Sequence, residues 1–386
     1  MKTKILICSI LMLILTITLA TCRNLEDTNN DPSLLDAQES CIGYQMNTRI
    51  AESKNSFYFV KDSFLYVIDK NSRKCMPLCS RPDCTHDKGN NDCDAYLFIA
   101  DGVVNYSDEL YFLDEETYND ENGQVVIVNK ICKMELDGTS RQDVFKTEEL
   151  RIWSFKLHRG YIYMLASPYN DDGSANGSHQ NLYRVPIGKN GSAELFFEMS
   201  GNGHDYLDLR FFGDQMYFLT SEYVSDGKEN YHFWRVDLST GDKYDLNETL
   251  DVPVRNLYSI FNEKILFTSD KELYECSLDG SSESKIADCR SYADNFDWYS
   301  VISCDSKRLF IDATHDGDFE HRTWIVLDEN YTPITVYTLP FKTITFSACM
   351  DDSMIVIDSE RKELFYIDKT KLGCNDCAQL IYTFEE

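Results

Sequence analysis

Four cysteines and a histidine crowd one stretch of the chain, Cys75-MPL-Cys79-SRPD-Cys84-T-His86-DKGNND-Cys93. Thiolates are nucleophiles and soft metal ligands, so this spacing admits three chemistries. The first is crosslinking. Outside a reducing cytosol cysteine pairs persist. Cys84 and Cys93 would close a short loop, and Cys75 or Cys79 could pair with each other or elsewhere. Closing a loop of about 15 residues is worth about 3 kcal/mol. The second is zinc: Cys79-x4-Cys84-x-His86-x6-Cys93 offers three thiolates and an imidazole, a Cys₃His set that suits a tetrahedral ion. The spacing is not that of a standard finger, and His86 is the residue that argues for metal. The third is a redox-active or metal-sensing thiol group. In all three the segment acts as a staple and not as a catalytic centre.

The other cysteines read more simply. Of the 14 in the chain, Cys374 and Cys377 form a CxxC in a turn before the last strand, without the βαβ setting of a redox motif. A structural disulfide is expected there, within the pair or to Cys41. Cys304 and Cys349 each precede an apolar run by five residues and should occupy equivalent positions. They are expected to be buried free thiols, as are Cys132, Cys276 and Cys289.

Further chemistry is sparse. The chain has no GxSxG, HExxH, P-loop, GxGxxG or EF-hand pattern. The Gly- and Asp-rich stretch from Asn170 to His179 has the wrong ligand order for calcium and reads as a hairpin tip. His315-DGDFE-His321 places two histidines among Asp316, Asp318 and Glu320. Such a set suits a divalent cation, but it reads first as a solvated acidic tip. No motif requires a cofactor, and zinc at Cys79, Cys84, His86 and Cys93 is the candidate.

The elements that must position these residues announce themselves by repetition. Short aromatic and aliphatic runs begin at Phe57, Leu110, Tyr161, Met216, Ile265, Leu309 and Met354, at intervals of 44 to 55 residues. Each has a partner run downstream, as in LYVID from Leu65 or LYECSLDG from Leu273, and most partners end in Asp beside a turn residue. A strand precedes most first runs and another follows most partners. Four antiparallel strands per unit, repeated radially, describe an all-β fold, a β-propeller of seven blades. One blade cannot cover both its faces; its neighbours do. The 24 tyrosines and 22 phenylalanines supply rings to fill the wedges.

Long tips follow the first runs of the second, third, fourth and sixth units: Asp114–Gly123, Ser167–His179, Ser221–Tyr231 and Thr314–Arg322. All leave the same end of a first run, so all should rise from one propeller face, where binding residues concentrate. They bring Tyr118, Tyr169, Tyr223 and Tyr231 among acidic residues, a mixture that suits peptides and sugars.

The string PLCSRPDCTHDKGNNDCDAY, from Pro77 to Tyr96, resembles a Cys-rich signature of uncharacterised bacterial propeller lipoproteins, which are similar in turn to TolB-type propeller repeats. Cys79, Cys84, His86 and Cys93 match that signature; Cys75 is an extra. The resemblance implies a fold and an address but no activity. The N-terminus carries the same address. Lys2 and Lys4 precede an apolar stretch from Ile5 to Ala20, and Leu19-Ala20-Thr21-Cys22 resembles a lipoprotein cleavage box, with Thr21 in place of the usual small residue. Residues 1–21 are thus expected to be a signal peptide, Cys22 the lipidated residue, 22–40 a polar tether and 41–386 the propeller, with a Cys-rich insertion at 75–93.

The chain carries a formal charge of −28. Such a surface repels nucleic acid and favours cationic or neutral partners. The expected partners are the membrane, through the anchor at Cys22 on its extracytoplasmic side, and a peptide, protein or glycan on the loop-rich face. The sequence reading is a non-catalytic binding lipoprotein. Two alternatives stand beside it: an envelope enzyme acting on glycan or peptide, and a metal- or redox-responsive sensor.

Overall fold

The computed structural model describes residues 50–89, 92–98, 102–170, 180–188, 192–199, 209–224, 228–255, 257–316, 318–340, 344–346, 352–358, 362–374 and 376–384. The signal, Cys22, the tether, Cys41 and Cys349 lie outside them, as does most of the tip before His179.

Period-2 alternation of large apolar residues makes strands, and they assemble into seven four-stranded sheets, each a meander of consecutive strands. Blades 1 to 7 span residues 50–77, 103–147, 150–197, 210–245, 258–288, 298–338 and 344–383. The propeller expectation holds. In blade 1 the strands are β1 (Ile50–Glu52), β2 (Ser56–Lys61), β3 (Phe64–Asp69) and β4 (Cys75–Pro77).

The Asp that closes most partner runs has a local job. The Oδ1 atoms of Asp69, Asp137, Asp237, Asp279, Asp328 and Asp368 accept backbone N–H groups two or three residues on. Each bond folds the turn between third and fourth strands. The two-residue hairpin tips Asp62-Ser63, Asn262-Glu263 and Asp270-Lys271 hold both residues at positive φ. That is the turn whose twist matches the flanking strands.

Burial explains why seven blades make a ring. Every large apolar cluster draws from two neighbouring blades. Leu65 of blade 1 packs with Leu110 and Cys132 of blade 2, Ile131 of blade 2 with Ile162 of blade 3, and Phe197 of blade 3 with Phe218 of blade 4. Phe233 meets Phe267 across the next seam, Leu273 meets Ile311, and Phe310 meets Val356. The last seam closes the circle: Phe57, Phe59 and Ile68 of blade 1 pack with Ile355, Leu364 and Phe384 of blade 7. All strands of blade 1 come from one end of the described chain and all strands of blade 7 from the other. Among the described residues no strand is exchanged across that seam, and side chains join it.

One expectation needs correction. The long tips of blades 2, 4 and 6 are mostly strand, not loop. In blade 2, β6 (Glu109–Asn119) and β7 (Val125–Glu135) stay paired as far as Asn119↔Val125. In blade 4 pairing runs to Val224↔Lys228, and in blade 6 to His315↔Asp318. The acidic sequence hid the alternation. Ion pairs between Lys130 and Glu116, and between Arg151 and Glu115, make charged side chains good strand residues here.

Candidate metal centre and binding face

The Cys-rich segment is the connection between blade 1 and blade 2, residues 78–102, and its described residues form no helix or strand of their own. It is stitched to the edge of β3 at both ends. The N–H of Leu78 donates to Leu65 O at 2.8 Å, that of Leu65 to Ala95 O at 2.9 Å and that of Leu97 to Ser63 O at 2.9 Å. These bonds place Cys79 and Cys93 side by side although fourteen positions separate them in sequence. The intervening chain brings Cys84 and His86 back to the same point. His86 has φ 54°, a left-handed conformation that reverses the chain just after Cys84.

The result is a convergent set. One ligand atom from each of Cys79, Cys84, His86 and Cys93 lies within 4.8 Å of every other. Cys93 Sγ is 3.6 Å from His86 Nδ1. Phe64, Tyr66, Ala95 and Tyr96 form the apolar floor. Burial pushes the Cys93 thiol up to about 12, helped by its hydrogen bond with Cys84. Burial acts on Cys79 too, but the backbone N–H groups of Arg81 and Asp94 and the thiols of Cys84 and Cys93 outweigh it and hold Cys79 below the usual thiol range. Among the described residues this is the one group of three or more His, Cys, Asp or Glu side chains gathered closely enough for a metal ion.

The described cysteines are free thiols. The crosslinks Cys84–Cys93 and Cys374–Cys377 are not formed in the structure. Cys75 does not join the set: it lies on β4 and packs into the ring-closing cluster, and burial lifts it to about 12. Cys374 is exposed while Cys377 is buried, so the CxxC is splayed. Cys132, Cys276, Cys289 and Cys304 are buried singly, as expected. His315 stacks on Phe296 and faces Asp297 at 3.8 Å.

A clamp that sequence reasoning missed ties the segment to blade 2. The Arg141 guanidinium donates to Asp94 O at 3.0 Å, Tyr96 O at 2.7 Å and Asp114 Oδ2 at 2.6 Å. Asp114 Oδ1 then accepts the Phe98 N–H at 2.9 Å. Phe98 is thereby held at the surface, 54% exposed. No local pattern marks Arg141, because its three partners come from two separate segments.

The expected binding tyrosines divide. Tyr118 stands on the blade 2 ribbon and donates to Glu148 Oε1 at 3.0 Å. Tyr169 accepts from Asn129 Nδ2 at 2.7 Å, bracing blade 3 against blade 2. Tyr231 is partly buried and hydrogen-bonds Glu229. Tyr223 lies on strand Gln215–Val224 of the blade 4 ribbon. Tyr118 is the exposed member among those whose side chains are described.

Exposed large apolar residues sort by location. Met76, Leu195, Tyr244, Ile334, Val336 and Leu380 lie on fourth strands, the outer rim. The remaining ones are Phe98, Tyr118, Val125, Val224 and Trp298. All five are at the end of the blades where second strands turn into third strands, Trp298 by its pairing with Thr314. Among the described residues none is exposed at the opposite face. Trp298 was not singled out in sequence because it opens a strand that otherwise reads as buried.

No known family profile matches the chain, and no curated protein matches it. Solved structures do. A puromycin hydrolase variant complexed with PGG aligns with a TM-score of 0.50 at 9% identity, covering 92% of this chain and 55% of the other. The β-propeller domain of the Trilobed protease from Pyrococcus furiosus aligns at 0.46 and 10% identity, covering 89% and 99%. Oligogalacturonate lyase from Vibrio parahaemolyticus aligns at 0.44 and 12%, covering 70% and 85%. At these identities the likeness is one of fold.

Proposed function

We propose that this chain is a non-catalytic binding propeller, anchored outside the membrane through lipid on Cys22, that takes a polypeptide on its ribbon-bearing face. One observation carries the reading: Phe98, Tyr118, Val125, Val224 and Trp298, the exposed large apolar side chains away from the rim, share that face. Exposed aromatic residues on rigid supports are the usual anchors of interfaces. The ribbons of blades 2 and 4 are paired to their tips, so little ordering entropy is lost when a partner docks. The surroundings are acidic, with Glu148 at Tyr118 and Asp297 beside Trp298. The chemistry that fits is a partner bearing Lys or Arg next to apolar residues, bound more weakly as salt rises.

The test uses the intact chain on a sensor surface against an array of basic, apolar peptides. Tyr118→Ala with Trp298→Ala should weaken the best peptide by at least about 10-fold, in line with loss of interface anchors. The rim variant Leu195→Ser should bind as the parent does. Equal losses from rim and face variants, or cleavage of the peptides, would overturn the proposal; cleavage would favour the enzyme reading.

A further inference from the structure

We propose that Cys79, Cys84, His86 and Cys93 form a closed, structural zinc site that fixes the connection between blades 1 and 2. The donor set is the first argument. Three thiolates and an imidazole are a soft, four-coordinate group of the kind zinc takes in structural sites, and four protein ligands leave no open position for catalysis. Distance is the second. Zn–S bonds near 2.3 Å and Zn–N bonds near 2.0–2.1 Å in a tetrahedron put ligand atoms about 3.5–3.8 Å apart. The Cys93–His86 separation is 3.6 Å and every pair in the set lies within 4.8 Å. Contraction by about 1 Å, within reach of side-chain rotation, closes the set on an ion.

The third argument is parity. The nearest other thiol in sequence, Cys75, is committed to the ring-closing cluster. Three thiols cannot pair off, so any disulfide among them leaves a thiol and an imidazole unused. Zinc uses all four. Loading exchanges the protons of the thiols for one Zn²⁺, and no oxidant is needed.

The fourth is need. Among the described residues of 78–102 there is no helix or strand, and between Cys79 and Asp92 no side chain joins the blade core except Cys84 at its edge. Such a long connection in a compact domain needs an anchor. Its two ends are held by Leu78 and Leu97 in the core, by the stitches to β3 and by the Arg141 clamp on Asp94 and Tyr96, which leaves the middle, with Cys84 and His86, to the tetrad. The ion thus supports the chain that presents Phe98, although zinc binding does not depend on Phe98 being a partner contact.

The full chain, purified in detergent without oxidation, should carry one zinc by elemental analysis and keep it through dialysis against a weak chelator. Cobalt exchanged into it should show thiolate charge-transfer absorption and tetrahedral d–d bands. His86→Ala should weaken zinc binding by more than the ~10–100-fold typical of losing an outer-shell partner. His86→Cys should restore retention with a shifted cobalt spectrum, which separates lost ligation from failure to fold. Stripping the ion should speed hydrogen exchange in residues 78–102 and leave blade 5 unchanged. A metal-free chain that stays metal-free in excess zinc would overturn the proposal. So would a disulfide among the three cysteines by mass, or equal retention in His86→Ala.

Discussion

Blade 7 packs apolar side chains against both neighbours, but it adds different contacts at each seam. Its seam with blade 6 contains buried charge. Lys369 Nζ lies 2.7 Å from Asp305 Oδ2, and both side chains are at most 1% exposed. Arg308 bridges Asp305 at 3.1 Å and Asp352 at 2.8 Å, and the Lys369 N–H donates to Asp352 O at 2.8 Å. Its seam with blade 1 is aromatic. Phe59 stacks on Tyr66 at 5.1 Å, and Phe384 packs edge-on to Phe59, Tyr66 and Tyr382. Lys61 sits over Phe384, and Arg73 sits over Tyr366 while bonding Gln379. The chain itself passes from blade 6 to blade 7, so that seam is short-range. The 7/1 seam joins the two ends of the described chain, the largest loop-closure cost in the fold. Non-directional apolar contact tolerates imperfect arrival there; a buried ion pair, which needs good geometry, sits where the backbone already delivers it.

This contrast can be broken at four points. Asp305→Ala has the largest expected effect, about 3–5 kcal/mol, because it leaves Lys369 and Arg308 without their shared carboxylate. Denaturant unfolding measures it, and replacing Lys369 as well by Met should recover part of the loss. Phe384→Ala should cost about 3 kcal/mol by emptying the closing seam. Hydrogen exchange should then rise first in blades 1 and 7, whereas Asp305→Ala should loosen blades 6 and 7. Uniform loosening by both would show the seams to be one cooperative unit.

The 6/7 side also holds a carboxyl whose titration should act on stability. Asp312 lies two residues beyond Phe310, on the same face of its strand. Burial raises its carboxyl from 3.8 to about 6, against the pull of Arg322. The fold therefore binds this proton more tightly than the unfolded chain does. The stability it contributes is complete below about pH 4 and is lost as pH rises towards 6. Asp312→Asn should stabilise the chain at pH 7 by about 2–3 kcal/mol and flatten the stability profile between those values. An unchanged profile would show that Arg322 keeps the carboxylate charged. The smallest effect is Arg73→Ala. Its contacts are solvent-exposed, so the loss should be within about 1 kcal/mol in thermal melts.

Much of the fold could be read from the chain. The first runs and their partners are the second and third strands of every blade, and the Asp after six of the seven partners is the turn it suggested. The ribbons of blades 2, 4 and 6 were not legible, because their strand character depends on ion pairs such as Lys130 with Glu116, formed across the hairpin. The candidate site was half legible. Cys79, Cys84, His86 and Cys93 could be picked out by type, but the choice between pairing and convergence could not be made from spacing. Cys374 and Cys377 show why: they are three positions apart, yet one faces solvent and the other the core. Arg141, Phe98 and Trp298 were invisible as a group, since their roles come from height on the ring and not from neighbours in sequence.

By itself, then, the sequence determined what is periodic and local: the strand rhythm, the Asp-led turns, the ligand types and the acidic charge. These follow from backbone sterics and from side chains within a few residues. Tertiary structure alone decided which thiols meet, which seam buries the Lys369–Asp305 pair, and which face holds the exposed aromatic residues. Those outcomes depend on contacts between segments far apart in the chain, and only the closed ring sets those distances.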